Sequence, residues 1–161
     1  MVSPLPNDWD SVKLESLTTI KYGKGLPTKK LTQEGFPVFG ANGVIGKYTE
    51  YLYEEEQVLI SCRGAYSGKI NLSPKQCYVT NNSLVLELPN EPKVAKKYLY
   101  YALEAANKSK IVTGSAQPQV TINNAKELIV PVAPRDQQDR IVAEIEKQFS
   151  RLDEAVASLK R

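Results

Sequence analysis

The sequence contains no histidine, and that absence removes more chemistry than any other feature of its composition. Without an imidazole there is no Ser-His-Asp or Cys-His nucleophile pair, and the commonest general base is gone. Cysteine is scarce as well. Cys62 and Cys77 stand alone, so a zinc site would have to be built from carboxylates, and both thiols are read as reduced and structural. No apolar run approaches the roughly 18 residues of a membrane span, and the opening MVSPLPNDWDSVK lacks the apolar stretch of a signal peptide. The expectation is a cytoplasmic chain without a membrane partner. Acid is missing locally: Gln57 to Leu86 holds Arg63, Lys69 and Lys75 and no Asp or Glu.

What is present is ordinary in amount. The chain has 161 residues, 42% hydrophobic and 24% charged, which suits one domain with a real core and at most one appended element. Net charge is only +3. Its distribution says more, because Lys13, Lys21, Lys24, Lys29 and Lys30 face only Glu15 between residues 13 and 30, while acids gather in places such as Glu54-Glu55-Glu56. Such a run is either ordinary solvated surface or a footprint for an anionic partner.

Along the chain, short apolar runs alternate with glycine, asparagine and proline. Thr18 to Tyr22, Val38-Phe39, Val44-Ile45, Val58 to Ile60, Lys69 to Leu72, Tyr78 to Thr80 and Ser83 to Leu88 read as strands. Asn42-Gly43 between two of them is a hairpin signal. The spacing of Val94, Tyr98, Tyr101, Ala102 and Ala105 predicts a helix after Pro92, its tyrosines read as packing residues. Asn123-Asn124 can cap a short helical turn, and Leu128 to Val130 forms a last buried strand before Pro131 and Pro134.

From Asp136, a candidate cap, a long helix runs to the end. Val142, Ile145, Phe149, Leu152, Val156 and Leu159 follow one another at intervals of 3, 4, 3, 4 and 3 residues, a heptad seam. About 25 residues give a helix of about 37 Å. A seam so narrow leaves most of the circumference polar; the helix either folds back on its own domain or protrudes toward a partner helix, and the second reading is preferred here. The expected division is a globular domain over 1–134 and a spacer or dimerisation helix over 135–161.

Several motifs carry a resemblance. Gly114-Ser115-Ala116-Gln117-Pro118-Gln119-Val120, continued by ELIVPVAPRDQQDRIVAEIEK, resembles the specificity subunits of type I restriction–modification systems, in which a GS-x-Q stretch precedes a short strand, a proline-marked exit and a Glu-Gln or Gln-Gln pair opening a long helix. Softer matches are Trp9 to Leu14, FPVFGANGVIGKY, and VLISCRGAYSGKI with YVTNNS behind it. A full subunit resembles two such halves in tandem, and this chain has one, with a shorter helix. It is thus either a natural half-subunit or a fragment.

The resemblance implies a mixed α/β (α+β) target-recognition domain with a twisted sheet of short strands, followed by one long helix forming a coiled coil. It implies a recognition module without catalytic residues, metal or cofactor of its own. Its partners would be double-stranded DNA, the methyltransferase subunit carrying S-adenosylmethionine, the ATP-dependent restriction subunit, and a second helix from a homodimer or the other half of the subunit. Fittingly, the sequence has no Asn-Pro-Pro-Tyr motif, no glycine-rich cofactor loop opening a helix, no Walker loop and no paired-carboxylate nuclease core. The alternatives are the recognition end of a fused methyltransferase–endonuclease and a protein-interaction module that does not touch DNA.

Independently of the family, base edges are read by side chains with paired hydrogen-bonding groups, and phosphates by Lys, Arg, Ser and Thr. Such residues sit on the small-residue loops: Lys24, Lys29 and Lys30; Asn42; Arg63, Tyr66, Ser67 and Lys69; Asn81 and Asn82; Ser115, Gln117 and Gln119. Glycines beside them permit close approach. Asn42 reads first as a hairpin-turn residue, Asn81 and Asn82 serve equally as turn formers, and Gln117 and Gln119 equally as internal ties. Arg63 is the strongest candidate for a base or phosphate contact, and Lys29 and Lys30 suit phosphates.

Overall fold

Apolar runs of a few residues, cut short by turn formers, fold into strands of two to five residues. The structure, a computed structural model, describes residues 4–160. In chain order these are β1 (Asp10–Lys13), β2 (Thr19–Tyr22), β3 (Phe36–Phe39), β4 (Val44–Tyr48), β5 (Val58–Ser61), β6 (Ile70–Leu72), β7 (Tyr78–Val79), β8 (Ser83–Glu87), α1 (Lys96–Ala105), β9 (Val112–Thr113), β10 (Gln119–Val120), α2 (Ile122–Ala125), β11 (Ile129–Val132) and α3 (Arg135–Leu159). Single 3-10 turns cover Leu14–Ser16 and Thr28–Lys30.

The expected single sheet is divided. An antiparallel sheet of order β2-β8-β5-β6 forms the centre; β4-β3-β7 forms a second; β1-β11 and β9-β10 are two-stranded ribbons. The division follows from side-chain alternation, since β5 and β8 are apolar on both faces. Val58, Ile60, Leu84 and Leu86 point into the larger core with Leu99 and Leu103 of α1, whereas Leu59 and Val85 meet Phe39, Cys77 and Val79 on the other face. The central sheet therefore lies between α1 and the second sheet. The architecture is mixed α and β, with several small sheets and a long last helix. Both cysteines are free, and burial pushes each thiol up to about 11.

Three local expectations change. Thr121, not Asn123 or Asn124, caps α2, its Oγ1 accepting from the Asn124 N–H at 3.1 Å. Helix α1 begins at Lys96 instead of Lys93, because Ala95 is extended and its N–H is held by Gln138 Oε1 at 2.7 Å. Helix α3 starts at Arg135 behind Pro134 with no side-chain cap, and Asp136 lies inside the first turn, where its negative charge meets the positive end of the helix dipole favourably.

The base of α3 is tied on two sides. Inward, the buried Gln138 amide donates to the carbonyls of Lys93 and Ala133, both at 2.9 Å. Outward, Gln137 accepts from Trp9 Nε1 at 3.3 Å and donates to Asp8 at 2.9 Å. Tyr98 adds a third tie, donating to the Pro131 carbonyl at 2.6 Å while accepting from the Ala133 N–H at 3.2 Å. Farther along, Glu146 meets Lys97 at 3.1 Å and the Tyr101 hydroxyl at 3.4 Å.

The heptad seam is split by this docking. Val142 belongs to the domain's own core at 8% exposure, and Ile145 is half-buried against α1. Val142 is thus withdrawn from the set of residues open to a partner helix: the seam's period is the same whichever surface covers it. Phe149, Leu152, Val156 and Leu159 stay exposed, at 50, 58, 40 and 85%.

Candidate nucleic-acid interface

Antiparallel pairing decides which loops share an end. Tyr22 faces Leu84, Ser61 faces Ser83 and Ile60 faces Ile70, so the exit of β2, the β5–β6 loop and the β7–β8 turn all emerge at one end of the central sheet. That end gathers Lys24, Arg63, Tyr66, Lys69, Asn81 and Asn82. The Gly23 and Lys24 N–H groups bond the carbonyls of Ser83 and Val79 at 3.0 and 2.9 Å, and the Cys62 N–H bonds that of Asn82 at 2.9 Å. A Cβ at Gly25 would come within 3.5 Å of the Asn81 amide nitrogen.

The β3–β4 turn is brought to the same end by hydroxyls. Ser83 Oγ donates to the Gly40 carbonyl at 2.8 Å, and Ser61 Oγ donates to that of Ala41. Asn42, at the tip, has its Oδ1 buried and without a hydrogen-bond partner among the described residues. Its turn role is real, as Asn42-Gly43 joins β3 and β4.

The GS-x-Q stretch arrives by a different route. β9 and β10 pair, with Gly114 at φ +83° opening the turn between them. Arg63 and Gln119 then form an antiparallel bridge, with Val120 N–H to the Cys62 carbonyl at 2.9 Å and Gly64 N–H to that of Pro118 at 3.1 Å. Ser67 Oγ reaches the Pro118 carbonyl at 3.0 Å. Between the loops lies an open cleft of about 550 Å³ lined by Arg63, Gly64, Ala65, Ala116, Gln117 and Gln119, among others. Arg63, Tyr66, Lys69, Ser115, Gln117 and Gln119 are exposed, and the Lys69 ammonium lies 5.8 Å from the Tyr66 ring centre. Lys29 and Lys30 stand apart from this group. They are exposed on a 3-10 turn whose continuation at Thr32 bonds the Lys47 carbonyl of β4 at 2.8 Å.

The electrostatics of this end are one-sided. Residues 23–30, 40–43, 62–69, 80–82 and 114–119 contain no Asp or Glu. Lys13 and Lys21, grouped with the basic run in the sequence, are drawn off by Glu127 at 2.8 Å and Glu87 at 3.0 Å. Glu87 lies at the opposite end of β8; burial pushes its carboxyl up, but the Tyr53 hydroxyl and the Lys21 ammonium together hold it below the usual carboxylate range. Among the described residues, Lys24, Lys29, Lys30, Arg63 and Lys69 have no carboxylate within 4.0 Å. Burial also keeps the Cys62 thiol protonated beside Arg63, so no thiolate nucleophile is available there at neutral pH. The described residues contain no metal-binding group of three or more His, Cys, Asp or Glu, and no helix long and apolar enough to cross a membrane.

Two kinds of residue escaped sequence reasoning. Tyr22, Val44 and Ile45 are exposed at 46, 55 and 49% around the same end, apolar groups suited to thymine methyls or sugar faces. Ser61 and Ser83 are fully buried and position the turn. Exposed apolar residues in a short strand read as core, and nothing in a serine's neighbours reveals a carbonyl brought to it from residue 40 or 41.

Residues 6–158 match the model of the type I restriction modification DNA specificity domain. The chain belongs to that family. A putative type I specificity subunit of Mycoplasma pneumoniae is 27% identical over 150 residues, covering 89% of this chain and 49% of that protein. The EcoprrI specificity subunit of Escherichia coli is 28% identical over 126 residues, covering 78% of this chain and 31% of that one. The chain thus spans half or less of the length of these relatives. The crystal structure of a type I restriction–modification S subunit from M. genitalium superposes with a TM-score of 0.78 at 21% identity, over 96% of this chain and 43% of its own. The specificity-domain fold therefore includes the base of the long helix as well as the sheets.

Proposed function

We propose that this specificity domain reads one half of a bipartite duplex-DNA target through the loop end of its central sheet. The observation that carries the reading is the joining of Arg63 and Gln119 across a β-bridge, with Gln117 on the same cleft, at an end whose loops hold Lys24, Arg63 and Lys69 and no acid. Arg offers the paired donors that suit guanine, and Gln the donor–acceptor pair that suits adenine. Lys24, Lys29, Lys30 and Lys69 supply phosphate contacts, and Asn42, Tyr66, Asn81, Asn82 and Ser115 complete the surface.

The chain binds rather than catalyses. S-adenosylmethionine and ATP belong to the methyltransferase and restriction subunits that assemble around it, and Ile145, Phe149, Leu152, Val156 and Leu159 meet a partner helix. That helix comes from a second copy or from the other half of a longer subunit. The open stripe from Phe149 onward supports this part of the reading, since a protruding amphipathic turn is marginal alone in water.

Selection of the full chain on a random duplex library at low and moderate salt tests the proposal. An enriched split palindrome is expected if two copies pair, and a single half-site if they do not. Arg63→Ala should cost about 1–3 kcal/mol on the selected site and relax one base position, whereas Lys30→Ala should weaken all sequences alike and flatten the salt dependence. Equal loss on target and non-target DNA for Arg63→Ala removes its role as a base reader. No binding at low salt removes the DNA reading altogether.

A further inference from the structure

A glutamine in the first turn of a helix ordinarily faces water. Gln138 is 0% exposed, and both ends of its amide are used. Nε2 donates to the Lys93 and Ala133 carbonyls, each at 2.9 Å, while Oε1 accepts from the Ala95 N–H at 2.7 Å and from Arg135 at 3.3 Å. The three backbone groups belong to the segments entering α1 and α3, which no shared ladder joins. The side chain takes the place of that ladder. Because its donors and its acceptor are distinct, only one orientation satisfies all of them.

We infer that Gln138 is a positioning residue that sets the direction in which α3 leaves the domain. The helix has a second anchor at Glu146, bonded to Lys97 and Tyr101. Eight residues separate the two, about 12 Å along the axis. Two fixed points define a line, and from Phe149 onward α3 is exposed and follows it. Leu159 lies 21 residues beyond Gln138, about 32 Å, so a tilt of about 10° at the first turn displaces it by about 5 Å. That exceeds the rise of one base pair, about 3.4 Å. Resting on the DNA-reading proposal, the orientation of this one amide would then fix which spacer between two half-targets a paired assembly accepts.

Two measurements on the full chain test the inference. In the first, spin labels at exposed Lys75 and Glu154 report the distance from domain to helix at concentrations where the chain is monomeric. Gln138→Met keeps the volume and removes every hydrogen bond, and Gln138→Glu keeps the acceptor and removes the donors. A narrow distribution for the parent chain, broadened or shifted by several ångströms in folded variants, is expected. Distributions that superpose on the parent's overturn the inference, even where the variants are less stable. Failure of both variants to fold overturns it equally, since Gln138 would then be a folding residue. In the second, library selection with a folded variant should return the same half-site letters with a changed or wider spacer; an unchanged single spacer counts against the inference. If the parent chain itself enriches nothing, the DNA reading fails while the distance measurement still decides the role of Gln138.

Discussion

Leu152 offers the most direct test of the exposed stripe. An antiparallel two-fold seam running from Ile145 to Leu159 has residue 152 at its midpoint, so the two copies of Leu152 meet on the axis. Phe149, Leu152, Val156 and Leu159, at 50, 58, 40 and 85% exposure, together offer rather more than two fully exposed large side chains per chain. Burying them at about 1.5–3 kcal/mol each gives about 7–14 kcal/mol for the pair of chains. Association costs about 4–15 kcal/mol, so the surplus is at most about 10 kcal/mol and the dimer no tighter than tens of nanomolar. Leu152→Glu removes two partly buried leucines, about 2–3 kcal/mol for the dimer, and adds a like-charge contact of about 1 kcal/mol. The dissociation constant should rise by about two to three orders of magnitude. Because Leu152 touches little within its own chain, the unfolding free energy of the monomer should stay within about 0.5 kcal/mol of the parent. Sedimentation velocity over a concentration series reads the first quantity, and urea unfolding at low concentration the second. A parent chain that remains monomeric at the highest concentration, or a dimer indifferent to Leu152→Glu, refutes the pairing.

Gly114→Ala would place a Cβ 2.5 Å from the Gln117 carbonyl oxygen at φ +83°; it should cost at least about 1–2 kcal/mol in urea unfolding and weaken DNA binding by displacing Gln117. A neutral substitution would mean the turn is not held as described. Stability should also fall in alkali. Burial raises the thiols of Cys62 and Cys77 from 9.0 to about 11, so their contribution is complete below about pH 9 and is lost as pH climbs through 11, by about 2–3 kcal/mol for each. Urea midpoints at pH 8 and pH 11 check this, and a Cys62→Ala, Cys77→Ala protein with an undiminished pH dependence would contradict it.

Much of the secondary structure is legible along the chain because it rests on neighbours in sequence. Asn42-Gly43 makes its own turn, Val58 to Ile60 and Ser83 to Glu87 are strands by their apolar runs, and the last helix follows from its period. What joins distant residues is not legible. Arg63 and Gln119 are candidates separately, but their bridge depends on β9 and β10, two strands of only two residues each. Strand β1, DSVK, carries no apolar run and exists because Asp10 to Lys13 meets Ile129 to Val132. The seam's spacing is read correctly, yet a period cannot say that Val142 faces α1 while Leu152 faces solvent. Gln138 looks from sequence like a surface residue beside Gln137; only its surroundings separate the two.

The ribbon of β1 and β11 has a consequence in time. Its strands are made at opposite ends of the globular part, Val12 pairing with Val130, so this closure spans more than a hundred residues. On a ribosome the central sheet has all its strands once residue 87 has emerged, and the loop end is complete once Gln119 can reach Arg63. The first strand stays unpaired until β11 appears, and Trp9 and the approach to α1 are fastened only when Gln137 and Gln138 follow. Long-range closure is the slow kind, and an unpaired edge is exposed to other chains while it waits. A nascent chain stopped before β11 therefore displays both an open edge and a loose helix entrance, and one stopped between β11 and Gln138 keeps the loose entrance alone, forms for chaperones and proteases to find.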